Sequence, residues 1–293
     1  MTYKELLASS AVKVHNCACM GLDPQWDVLP YRSGHIADDL QRFFQQLFET
    51  MVKYNLSPAA FKPNIGYYAA LDDPRKGSFE GSLALASILS MLESLFPGIP
   101  VILDSKRGDI ARSSANYAQE AFEVWRCDAV TVSPYMGTDS ITPFDEDASG
   151  KKGIYVLNRT SNPGAKDLQA LQVGNGDMRE PLFMAVARQI DRWSERMGGI
   201  GAVVGATNLE ELSLVATLHA RHEVPLLIPG VGSQGASAKM TMHSLRDAGY
   251  PVSYARINSS SALTHPWKMA PAPNGWLDRC IANIDKLLEE TAL

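Results

Sequence analysis

Short apolar-rich runs alternate with longer amphipathic stretches along the whole chain. Residues 17–22, 60–61, 101–103, 129–133, 153–157, 202–205, 225–228 and 252–257 have the length and character of parallel strands covered on both faces. Between them apolar residues recur at helical spacing. Ile36, Leu40, Phe43, Phe44, Leu47 and Met51 mark a helix over 36–54, and Leu85, Ile88, Leu89, Leu92 and Leu95 one over 82–95. Tyr117, Ala121, Phe122 and Trp125 mark a third over 110–125, and Leu182, Val186, Ile190, Trp193 and Met197 a fourth over 181–197. Asn208 followed by Glu211 resembles a capping box that opens a helix to about Ala220, another ends near Ala248, and residues 276–288 form the last. Lys166 to Met178 reads as irregular. No linker rich in Pro, Gly or Ser divides these eight strand-then-helix units. The expected fold is therefore α/β, a single (β/α)8 TIM barrel over residues 1–293, with an open doubly wound sheet as the other arrangement compatible with the alternation.

Composition narrows the picture only a little. The 293 residues carry a formal charge of -5, which supplies no general attraction for nucleic acid or an anionic membrane surface, so an anionic ligand must be held by local groups. The first residues hold no apolar core of signal-peptide length, and no run approaches a membrane span, so a cytoplasmic protein is expected. Cys17, Cys19, Cys127 and Cys280 lack paired metal-ligand spacing and read as free, mostly buried thiols.

The chemistry lies where the apolar runs stop. In VILDSKRGDI the strand ends in acid and base, with Asp104 and Lys106 two residues apart; on an extended chain both side chains face one volume. Gly108 frees the backbone to turn before Asp109. Asp23 and Lys62 also close strands, each followed by proline, and Ser161, Gln234 and Arg256 fall near other strand ends. Taken singly, each has a bland reading: a surface ion pair, a solvated lysine, a polar loop. In a barrel, function gathers at the carboxyl ends of the strands, and these residues all fall on that side. Two lysines and two aspartates without a histidine do not form a hydrolase relay; the alternating charges keep each other ionised and place a cationic proton donor beside developing negative charge. Gly230 to Gly235 spells G-x-G-x-x-G, too late in the chain for a dinucleotide fingerprint but suited to cradling phosphate after a seventh barrel strand; the alternative is a plain tight turn.

LDSKRGDI followed by SSANYA resembles the signature of the orotidine 5′-phosphate decarboxylase family. GLDP at 21–24, FKPN at 61–64, SPYMGTDSITPF at 133–144, NRTSNPGA, VVGAT at 203–207 and PGVGSQG at 229–235 extend the likeness, most closely to the longer bacterial subfamily. The resemblance implies decarboxylation of orotidine 5′-phosphate to uridine 5′-phosphate with no metal and no organic cofactor. Lys62, Asp104, Lys106 and Asp109 would form a charged tetrad, with Lys106 protonating the C6 carbanion, Asp104 beside the substrate carboxylate, and Lys62 orienting Asp104 and touching ribose. Asp23 would bind ribose and Ser161 the pyrimidine edge, while Gln234 with the Gly232 and Gly235 backbone would grip phosphate. Asp109 and Ile110 would reach into a second subunit, making a homodimer with composite sites. Ser114 stands where the family more often has threonine. Ser261 stands where the family usually carries a phosphate-binding arginine, with Arg256 or Lys268 as candidate substitutes. The rival readings are a magnesium-dependent sugar-phosphate decarboxylase or aldolase of the same barrel group, a Schiff-base aldolase, which flanking carboxylates disfavour because they raise a lysine's pKa, and a non-catalytic nucleotide-binding protein.

Overall fold

The computed structural model describes residues 1–145, 149–176, 179–232 and 235–293. Its frame is a ring of eight parallel strands: β1 (Ala18–Leu22), β2 (Ala60–Pro63), β3 (Ile102–Arg107), β4 (Ala129–Val132), β5 (Gly153–Arg159), β6 (Ile200–Val204), β7 (Leu226–Ile228) and β8 (Ala255–Ser259). Neighbours pair in the order β2-β1-β8-β7-β6-β5-β4-β3, and bridges Phe61–Val101 and Asn64–Asp104 close β3 back onto β2. The barrel expected from the alternation is the one observed. Each strand is apolar because both its faces are covered: barrel interior within, helices without.

Helix α1 (Tyr3–Val14) precedes the ring; α2 (Ile36–Lys53), α3 (Glu80–Leu95), α4 (Ala111–Gln119), α5 (Thr138–Ile141), α6 (Leu182–Ser194), α7 (Leu209–Ala220), α8 (Ala238–Asp247) and α9 (Trp276–Glu290) follow the successive strands. The apolar stripe of α2 buries Leu40, Phe43, Phe44, Leu47, Phe48 and Met51 against the strands. Asn208 caps α7 through the Glu210 and Glu211 amides, but Glu211 itself turns away to Arg159, Oε2 to Nε 2.7 Å. All four cysteines are free and buried.

Four local expectations change. The first residues, read only for targeting signals, form α1, started by a reciprocal capping box between Thr2 and Glu5. The fourth unit has only the short α5, continued by a 3-10 turn over Thr142–Asp145. Within Lys166–Met178, Gln172–Val173 pairs antiparallel with Glu180–Pro181; Asp177 and Met178 lie outside the described residues. Finally, Val252–Tyr254 is a 3-10 turn, so β8 starts and ends later than its apolar pattern implies.

That last shift overturns Arg256 as a substrate ligand. It is the second residue of β8, at the amino end of the strand, and is fully buried. Its five N–H donors are taken by Ala59 O, Ser253 O, Ala255 O, Leu7 O and Ser10 Oγ at 2.6–3.2 Å. It ties α1 across the barrel floor, roughly 10 Å of strand away from the carboxyl end. Tyr3 sits on the same floor, its hydroxyl 3.1 Å from that of Tyr155. Gly153 makes room for it: a Cβ there would lie 2.4 Å from the Tyr3 ring.

Candidate active site

At the opposite end of the barrel a cavity of about 480 Å³ opens, lined from the carboxyl end of every strand. Asp23 follows β1, Lys62 comes from β2, Asp104 and Lys106 from β3, Thr131 from β4, Leu157 and Ser161 from β5 and its loop, Val203 from β6, Leu227 from β7 and Asn258 from β8. Of the residues expected from sequence, Asp23, Lys62, Asp104, Lys106 and Ser161 are brought together here.

Asp104 is the hub. Its Oδ2 accepts from Lys62 Nζ at 2.7 Å, and its Oδ1 accepts from Lys106 Nζ at 2.5 Å and from Thr131 Oγ1 at 2.9 Å. Burial pushes the Asp104 carboxyl up, but the two ammonium groups overrule it and hold its pKa well below the usual carboxylate range. Burial likewise pulls Lys62 down, and Asp104 with Asp23 more than reverses this, so Lys62 stays protonated above its ordinary value. The lysines differ in access: the side chain of Lys62 is 4% exposed and that of Lys106 is 47% exposed.

Period-two alternation alone does not place Lys106. The pairing of β3 with β4 shifts register between Leu103 and Arg107, and Lys106 has φ 49°, in the left-handed region. Thr131 holds this bulge, its Oγ1 accepting from the Ser105 and Lys106 amides at 3.0 and 2.9 Å while donating to Asp104. Such a backbone costs energy and persists where surrounding bonds enforce it.

Across the mouth, Asp23 Oδ2 accepts from Ser260 Oγ at 2.6 Å, while Asp23 Oδ1 and Asn258 Oδ1 are buried without a hydrogen-bond partner among the described residues. Buried acceptors of this kind fit the hydroxyls or amides of a ligand. His265 is also buried here, with Nδ1 2.9 Å from Thr264 Oγ1, and burial lowers its pKa. A second cavity of about 490 Å³ adjoins the first and shares Val231, Ser259, Ser261 and His265 with it.

Other expected residues lie apart. Asp109 does not line the cavity; its Oδ1 accepts from the Ile110 amide at 2.7 Å. The Ile110 side chain is exposed. Ser114 is buried, and its Oγ donates to Asp109 O at 2.8 Å, so it pins the loop rather than facing the cavity. Gly232 lines the second cavity with φ +86°, Gly235 has φ +89°, and Gln234 lies outside the described residues. Sequence reasoning missed Thr131, Asn258 and His265 as cavity residues. A strand ended correctly at Ser259 would have put Asn258 at the mouth, whereas nothing local marks Thr131. Among the described residues no three His, Cys, Asp or Glu side chains cluster as a metal site requires, and no helix is long and apolar enough to cross a membrane.

A (β/α)8 barrel with a lysine–aspartate–lysine network at its mouth is the layout of an enzyme that handles a negatively charged reaction centre. The profile of the "Orotidine 5'-phosphate decarboxylase / HUMPS family" matches residues 18–244, and the chain belongs to this family. Orotidine 5′-phosphate decarboxylase of Delftia acidovorans is 36% identical over 265 residues, covering 90% of each chain. That of Aromatoleum aromaticum is 39% identical over 248 residues, 84% of each. The structure of Leishmania donovani OMP decarboxylase is similar with a TM-score of 0.74 at 33% identity, covering 99% of this chain and 98% of that one.

Proposed function

We propose that the chain decarboxylates orotidine 5′-phosphate to uridine 5′-phosphate as a cytoplasmic homodimer, using no metal or organic cofactor. The names of its relatives give the substrate, and one observation carries the chemistry: an ionised Asp104 bonded to one enclosed and one accessible ammonium. The C6–carboxylate bond breaks, carbon dioxide leaves, and the electron pair stays on C6. Lys106 Nζ delivers a proton to that carbon and regains one from solvent. Lys62, enclosed and held protonated, keeps Asp104 ionised beside the substrate carboxylate, which it repels. Preorganised charge is what the site supplies against the cost of a carbanion.

Asp23, with its unpartnered Oδ1, receives ribose hydroxyls, Ser161 reads the pyrimidine edge, and the Gly232–Gly235 backbone with Gln234 takes the phosphate. Asp109 and Ile110, outside the cavity of their own chain, complete the site of a second copy.

The test is the fall in absorbance on conversion of orotidine 5′-phosphate, with EDTA present, for native protein and Lys106→Ala. Native protein turns over, and the variant is slower by about 10²- to 10⁴-fold. No turnover by folded native protein overturns the reading, and loss of turnover on adding EDTA moves it to the magnesium-dependent branch.

A further inference from the structure

We propose that Lys268 is the cation that anchors the substrate's phosphate, in the second cavity beside the barrel mouth. The inference rests on the phosphomonoester reading above and names the residue that reading leaves open. A phosphomonoester dianion needs cationic partners as well as backbone N–H groups to be held out of water. At the mouth, Lys62 and Lys106 are both bonded to Asp104 and Asp23 lines the same cavity, so two carboxylates already match the two ammonium groups there. Arg256 is locked in the floor, and Ser261 brings a hydroxyl but no charge. The adjoining cavity is therefore the place to look.

That cavity adjoins the first, with Ser259, Ser261 and His265 lining both, so it is the space next to a ligand seated among Asp23, Asp104 and Lys106. Its wall includes Gly232 and Ser237, the residue whose side chain caps α8 by accepting from the Met240 amide. Two lysines line it. Lys286 stands 3.8 Å from Glu290, one turn further along α9, and Glu290 lines the same cavity, so this pair brings no net charge. No ion pair involves Lys268 among the described residues, which makes it the unmatched lysine of the cavity.

Lys268 is also held in place. The preceding Trp267 is buried, and its Nε1 donates to Val28 O at 2.8 Å. The Lys268 amide donates to His265 O at 3.0 Å, closing a turn in which Lys268 has φ 57°. The backbone is thus fixed at the cavity lip while the side chain remains exposed and free to meet an anion. Pre-positioning of this kind lowers the ordering cost of binding.

The test measures binding of uridine 5′-phosphate and of uridine, by calorimetry or by competition, to native protein, Lys268→Ala and Lys268→Arg. Lys268→Ala weakens the nucleotide about 10- to 100-fold and leaves the nucleoside unchanged, whereas Lys268→Arg stays within about threefold of native for both. In turnover, the same loss appears in KM for orotidine 5′-phosphate more than in kcat. The proposal is overturned if Lys268→Ala weakens the nucleotide less than about twofold, or if nucleoside and nucleotide weaken alike. Binding separates the two readings: native protein that binds the nucleotide through Lys268 but never turns over refutes the decarboxylase and retains the anchor.

Discussion

Lys62 and Lys106 share one carboxylate, and only Lys62 is enclosed. Its native pKa is raised above the ordinary value of 10.5, so its stabilisation is complete below pH 10.5 and is lost as the pH rises through the raised native value. Asp104 is depressed below 3.8, so its stabilisation is present above pH 3.8 and is lost as the pH falls toward the depressed native value. Lys62→Met removes the stronger of the two cations that depress Asp104. Denaturant unfolding is expected to show a loss of about 3–5 kcal/mol at pH 7 that narrows at pH 3, where the native protein has itself lost part of this stabilisation. An equal penalty at both pH values would show that the pair is not what Lys62 contributes. The sequence made Asp104 and Lys106 legible because charge interrupts an apolar run. Thr131 stayed invisible, since a threonine inside AVTV reads as a β-branched strand former; its job depends on a bulge in the neighbouring strand β3.

Among the elements, the amphipathic helices and the buried strands were read correctly because each is specified by its own periodicity. Errors came where an element's meaning depends on what it packs against. The Ser253-Tyr254-Ala255 context hides the start of β8, and an end expected at Ile257, two residues before the observed one, carried Arg256 from the floor to the mouth. Helix α1 is legible from its Thr2–Glu5 capping box, a signal as local as the periodicity of the other helices. With all its donors used on neutral acceptors of α1 and the floor, Arg256 acts as a clasp. Arg256→Met leaves those buried carbonyls short of donors; thermal unfolding is expected at lower temperature, by about 1–3 kcal/mol in stability, with KM for substrate unchanged. A rise in KM at full stability would return Arg256 to the site.

For the molecule as a whole, closure of eight strands brings residues from position 23 to position 265 around one cavity. Half-buried Asp109 and exposed Ile110 are left outside that cavity, on the loop that the proposed dimer uses. Mixing inactive Lys106→Ala with inactive Asp109→Ala protein tests this directly. If Asp109 acts across the interface, half the dimers are mixed and one of their two sites has both native residues, so roughly a quarter of native activity returns. Activity that stays at the level of the separate variants would place both residues in one subunit's site.

The floor has a consequence in time. Leu7 accepts its bond from a residue 249 positions later, and the amide of Cys17 is bonded to the carbonyl of Thr291. Helix α1 is made before all eight strands, and its Tyr3 and Leu7 pack with Cys19, Ala60, Ile102, Ala129, Tyr155, Val203 and Leu227, residues drawn from seven of them. The floor is therefore complete only after β8 has followed the other strands and Arg256 has closed on α1.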